Sequence, residues 1–233
     1  MRWRTLFSMA ALAGVLGAGS LTAQDARPGI AVLPFTNGGS YGQEAEDYAA
    51  LEIGMQQMLT TEFAMNPQLR VVDRSRIREL LAEQDLGATG RVDAATAARI
   101  GKIVGARYMV MGGFVDTYGT MRLDVQIVNT ETSEIEKADR TTFKREDMAK
   151  GVIDAATKIT GDLKLPALPK DVQASREDRA QKLNKTQAVS YYTKGLLYQD
   201  RGDSAKAKEL FGKALVEFPD YTEAQEALRQ VGG

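Results

Sequence analysis

The rhythm of apolar and polar positions changes several times along the chain, and each change marks an element. Gly29 to Phe35 is a short apolar run closed by Pro34 and by Asn37, Gly38 and Gly39, which predicts a buried strand and a loop. From about Glu44 the period lengthens. Tyr48, Leu51, Met55, Met58, Leu59 and Phe63 fall three or four apart and predict one apolar helix face, stopped at Pro67. Leu69 to Val72 predicts a second short strand. Ile77, Leu80 and Leu81 share the face of a helix that Asp73 or Ser75 can cap. Gly87 to Gly90 reads as a turn, and Asp93 can cap a third helix with Ala97, Ile100 and Val104, ended by Gly105. Tyr108 to Val115 is a central apolar strand, and Tyr118, Gly119 and Thr120 turn the chain back. Met121, Leu123, Val125 and Ile127 then alternate with Arg122, Asp124 and Gln126, the period of a half-exposed strand. Asn129 to Ser133 predicts a second turn, Ile135 to Phe143 a third antiparallel strand, and Met148, Val152, Ile153 and Ile159 a final helix.

The order is β-α-β-α-α-β-β-β-α. That predicts an α/β domain over residues 28–163, with a mixed sheet covered by helices on one side. Residues 164–187 follow as a linker with Pro166 and Pro169 and then a polar helix, with Ser175 as its expected cap and Asp178 three residues on. Residues 188–221 form a second unit, all α, and residues 222–230 a closing helix.

The N-terminus departs from all of this. Arg2 and Arg4 precede an apolar stretch from Leu6 to Leu16, small residues lead to Ala23, and Gln24 and Asp25 are polar. This is the three-part pattern of a secretory signal peptide over residues 1–23, with cuts after Ser20, Ala23 or Ala26 in contention. No later stretch reaches the length of a membrane span, so no span is expected after cleavage.

Composition narrows the chemistry. The 233 residues carry 30 basic and 31 acidic side chains, a formal net charge of -1, which argues against a globally basic nucleic-acid binder. Basic and acidic residues alternate in the second unit, so no nucleic-acid surface is expected there. There is no histidine and no cysteine. Disulfides, thiolate nucleophiles, Cys/His zinc sites, histidine bases and an anchoring N-terminal cysteine are excluded together. No cofactor, metal site or catalytic constellation is expected, and the chain reads as no enzyme.

Two resemblances add to this reading. Tyr191, Gly195, Tyr198, Gly202, Ala207, Phe211, Ala214 and Pro219 sit in register with one tetratricopeptide repeat, a helical hairpin of about 34 residues. Lys194 stands where such repeats place leucine. The stretches Ile30 to Phe35, Leu69 to Gln84 with Gly87, Gly90, Thr96, Ile100 and Gly101, and Val104 to Gly113 with Asn129 to Glu134 resemble the periplasmic domain of the curli production assembly/transport component family, the CsgG-like proteins. That resemblance covers about residues 28–160 and implies a periplasmic α/β domain able to self-associate. Related α/β domains occur in periplasmic activators of cell-wall synthases and flagellar outer-membrane accessory proteins. Curli channels also carry a lipidated cysteine and two long membrane hairpins. This chain has no such cysteine, and its connections after Phe114 and Ile127 are too short for strands of about 9–11 residues each.

The expectation is therefore a periplasmic protein-interaction or assembly factor of the cell envelope. It would meet an envelope protein or peptide through the repeat face and sit at the outer membrane through a partner. A non-pore component of a curli-like or other outer-membrane secretion complex is the alternative, and a small-ligand binder or enzyme a third. On the repeat's first helix Lys194 and Gln199 are the expected contacts, with Tyr191 and Tyr198 divided between contact and internal packing. Asp73, Arg74 and Arg76 could bind an anion or a partner carboxylate, or simply cap a helix with solvated arginines. Gly112 and Gly113 point to close backbone approach. Asp116, Asp124 and Glu131 match no calcium loop.

Overall fold

The computed structural model describes residues 25–83, 92–184 and 187–232. The expected signal peptide and the Gly87 to Gly90 turn lie outside them. The elements are β1 (Gly29–Val32), β2 (Thr36–Asn37), α1 (Ala45–Ala64), β3 (Arg70–Val71), α2 (Arg74–Glu83), α3 (Ala94–Val104), β4 (Tyr108–Thr117), β5 (Thr120–Asn129), β6 (Glu134–Lys144), α4 (Met148–Asp162), α5 (Lys170–Leu183), α6 (Ala188–Asp200), α7 (Ser204–Glu217) and α8 (Thr222–Gly232), with a 3-10 turn at Arg145–Asp147.

The strands form one open mixed sheet in the order β3-β1-β4-β5-β6, with β2 beside β4. β1 runs parallel to β3 and β4, and β4, β5 and β6 form an antiparallel meander. The two-residue β2 was not foreseen. It is held by parallel pairing of Thr36 and Asn37 with Gly113 and Phe114. Side chains at Gly112 and Gly113 would meet the Phe35 ring and the Thr36 carbonyl at 2.9 and 2.8 Å, which is the close approach expected of that pair.

The expectation of helices on one side of the sheet is wrong. Successive residues of β1 enter different cores. Ile30 and Val32 pack with α1 and α4, whereas Ala31 and Leu33 pack with Ile77 and Leu80 of α2 and Ala97 and Ile100 of α3. Helices therefore cover both faces around β1, as a continuous apolar strand requires. The local signals for α3 hold: Asp93 accepts a hydrogen bond from Thr96 N at 2.8 Å, and Gly105 closes the helix at φ 68°. The start of α5 does not follow expectation. The helix begins at Lys170 after Pro169, so Ser175 lies inside it and caps nothing.

The C-terminal helices continue the larger core. α6 lies between α1 on one side and α7 and α8 on the other, and is buried nearly all round. A Cβ at Gly54 would meet Thr193 Cβ at 2.9 Å, and one at Gly195 would meet Phe211 Cδ1 at 2.5 Å, so glycines set both helix approaches. Tyr192, rather than its neighbour Tyr191, fills the centre. Its ring lies 5.9 Å from Phe211 and 4.9 Å from Tyr221. Burying a large side chain of this kind contributes about 1.5–3 kcal/mol.

Charge tightens the same junction. Glu62 of α1 is buried beside Arg176 and Arg179 of α5, at 3.2 and 3.6 Å, and Arg179 continues to Glu223 of α8 at 2.6 Å. Among the described residues no helix is long and apolar enough to cross a membrane.

Candidate functional site

The six residues singled out in the sequence do not form one surface. Lys194 faces α1 and meets Asp47 at 2.6 Å, which explains a cation where a repeat would place leucine. The Asp47 carboxylate holds the Lys194 ammonium above its usual pKa. The Tyr198 hydroxyl donates to Glu46 Oε1 at 2.7 Å, and that bond raises its pKa. Arg74 is buried, meeting Asp200 at 2.6 Å and donating to Gln57 Oε1 at 3.1 Å. Three of the six thus tie the helices to the sheet domain. Tyr191 is half-buried against the core with Lys213 over its ring at 6.0 Å. Gln199 lines an open groove of about 710 Å³ between α1, α2, α6 and α8. Arg76 is exposed and pairs loosely with Glu79 at 3.3 Å.

A second place stands out that the sequence reading passed over: the end of the sheet where β4 turns into β5. Tyr118 and Gly119 make this two-residue turn with φ of 50° and 93°. Both values lie in the left-handed region, the geometry of a tight hairpin that favours Asn-Gly. A tyrosine there is strained by order 1 kcal/mol. Fully buried Asp116 fixes the turn. It accepts a hydrogen bond from Gly119 N at 2.9 Å and pairs with Arg145.

The loop after β2 is laced to the same end. Asn37 Oδ1 accepts from the Ser40 hydroxyl at 2.6 Å, Ser40 Oγ accepts from Asp116 N at 2.9 Å, and Tyr41 N donates to Asp116 O at 2.7 Å. Tyr118 N in turn donates to Tyr41 O at 3.2 Å. Two tyrosines therefore stand together on rigid backbone, Tyr41 64% and Tyr118 81% exposed. Beside them opens a groove of about 1200 Å³, lined by Tyr118, Arg145, Met148, Leu51, Asp47 and Val189. Exposed aromatics on a fixed frame, beside a mixed polar and apolar groove, are the chemistry of protein recognition. The sequence signal was the Tyr-Gly turn itself, where the first residue is the wrong one for the backbone.

Among the described residues no group of three or more acidic side chains is placed to hold a metal ion.

The model of the family described as "Curli production assembly/transport component CsgG" matches residues 12–120, a little under half of the chain. The match ends at the first residue of β5 and does not reach the C-terminal helices. No curated protein matches the chain. Among solved structures, the LpoB C-terminal domain from Salmonella enterica is similar at 18% identity over 53% of this chain and 87% of that one, with a TM-score of 0.39. TolB from Acinetobacter baumannii is similar at 14% identity over 59% of this chain and 27% of that one, TM-score 0.36. The PelC dodecamer from Paraburkholderia phytofirmans is similar at 11% identity over 61% of this chain and 91% of that one, TM-score 0.30. Likenesses this loose carry no argument about role.

Proposed function

We propose that this chain is a periplasmic protein-interaction or assembly factor of the cell envelope, built on a CsgG-like domain without pore-forming hairpins. The observation that carries the reading is the pair of short connections in the meander. β4 passes to β5 through Tyr118 and Gly119 alone, and β5 to β6 through residues 130–133. A membrane hairpin needs two strands of about 9–11 residues each. With the pore hairpins absent from these connections, what the frame offers is surface.

The periplasmic location is supported by the signal-like pattern of Arg2, Arg4 and the apolar run to Leu16. The tetratricopeptide reading of residues 188–221 draws support from the close approach of Gly195 and Phe211 and from the closing helix behind it. The sheet domain would occupy residues 28–163 and the linker and polar helix residues 164–187. In this reading α1 already covers much of the repeat's first helix. An envelope protein or peptide would then meet Gln199 and Arg76 on the helical side, or Tyr41 and Tyr118 at the sheet end. A non-pore subunit of a secretion complex is the second reading, favoured by the family match.

The test is a planar-bilayer conductance measurement on the purified mature chain, paired with release of the protein from spheroplasted cells. The reading expects no channel events and release with the periplasmic fraction. Stepwise conductance, or retention inside the spheroplasts, contradicts it.

A further inference from the structure

β6 is the long free edge of the sheet. It has 11 residues, most of them exposed, and β5 pairs with only one of its sides. The opposite edge, β3, has two residues, so a head-to-tail array has almost nothing to pair with. The geometry points to an antiparallel β6–β6 contact between two copies of this chain, centred on Ala138.

The phase of the backbone comes first. Thr120 lies opposite Lys144, and Arg145 N donates to Gly119 O at 2.8 Å. The pair Thr120–Lys144 is thus of the non-hydrogen-bonded kind, and Thr142, Arg140 and Ala138 turn their N–H and C=O groups away from β5. A symmetric partner strand must match this phase, which leaves a few registers, each with one residue on the two-fold axis.

Charge selects among them. Centring on Lys137, Asp139 or Arg140 sets that charge against its own copy. Centring on Ala138 sets alanine against alanine. It also brings Lys137 opposite Asp139 of the second copy, a pair that occurs twice, within the regular part of β6 on the Lys144 side of the bulge at Glu136. Charges on a sheet edge commonly keep sheets apart. A one-signed set would do so in every register, whereas this alternating set repels in the neighbouring registers and attracts in one. Asp139 is held at this edge by Lys158 of α4, at 2.5 Å.

This goes beyond the proposed function and takes up the self-association that the family resemblance implies. The chain has no cysteine, so a single introduced thiol reports only contacts between copies. Full-length Ala138→Cys, Thr142→Cys and Val216→Cys variants are exposed to mild oxidation. Position 142 lies about 27 Å from its own copy in this register, and Val216 is 82% exposed on α7. The expected result is a covalent dimer at 138 alone. In sedimentation velocity, Lys137→Asp raises the dimer dissociation constant about tenfold, and Lys137→Arg leaves it unchanged. Equal crosslinking at 138 and 142, or no effect of Lys137→Asp, overturns the proposal. If the chain still associates while 138 stays reduced, the edge is refuted and the assembly reading stands.

Discussion

Replacing Gly54 by alanine sets two effects of known size against each other at the junction of α1 and α6. Alanine favours a helix interior over glycine by about 1 kcal/mol, so an α1 free on that side would gain stability. In the folded chain the new Cβ meets Thr193 Cβ at 2.9 Å and Cγ2 nearer still. Both atoms belong to a β-branched side chain on the facing helix, whose hydroxyl donates to Ser190 O at 3.1 Å and which has no free rotamer to retreat into. Overpacking of this kind costs about 1–3 kcal/mol, and the rigid neighbour puts the cost at the upper end. The net loss is about 1–2 kcal/mol. With a urea m-value of about 2 kcal/mol/M, the unfolding midpoint falls by roughly 0.5–1 M. Thr193→Ser removes the nearest methyl, so the double variant recovers part of the loss, with a coupling energy of about 0.5–1 kcal/mol. A stabilised Gly54→Ala with no coupling to position 193 would mean that α6 does not lie on Gly54, and the docked helices would be refuted.

Three further outcomes follow from other contacts. Tyr118→Asn should raise stability by about 0.5–1 kcal/mol, because asparagine tolerates φ of 50°; a loss of stability in urea unfolding would show that the tyrosine ring is a structural contact. Asp200→Ala should cost about 2 kcal/mol in the same assay, since it strips buried Arg74 and half-exposed Arg78 of their shared carboxylate; a neutral result would mean the pair is solvated. Burial pushes the Glu62 carboxyl above its ordinary value of 4.5 despite the pull of Arg176 and Arg179. The folded state therefore holds that proton more tightly than the unfolded chain does, and stability falls as pH rises from 4.5 through the raised folded value. Glu62→Gln should flatten this slope in urea midpoints taken over about pH 4 to 7, and parallel curves for the two proteins would contradict it.

What could be read from the sequence was what local pattern controls. β5 was legible because one face is wet, so Met121, Leu123, Val125 and Ile127 alternate cleanly. α3 was legible because Asp93 and Gly105 cap it by chemistry within a few residues. Four buried residues in a row, Gly29 to Val32, already encoded helices on both faces, a signal the one-sided expectation overlooked. Other features depend on partners far along the chain. Lys194 breaks the repeat pattern because Asp47 waits on α1, and β2 exists because β4 supplies its hydrogen bonds. Tyr191 and Tyr192 are adjacent, and which ring points inward follows from the placement of α7 and α8. The sheet-end site combines two loops that only the Asp116 network brings together.

The most direct test of the interaction reading is photo-crosslinking at position 118 in living cells. A photoreactive amino acid replaces Tyr118 in the exported chain, with Val216 as the control position. The account predicts one discrete adduct with an envelope protein at 118 and none at 216. An exported, folded protein that forms no adduct at 118, or the same smear of adducts at both positions, would contradict it.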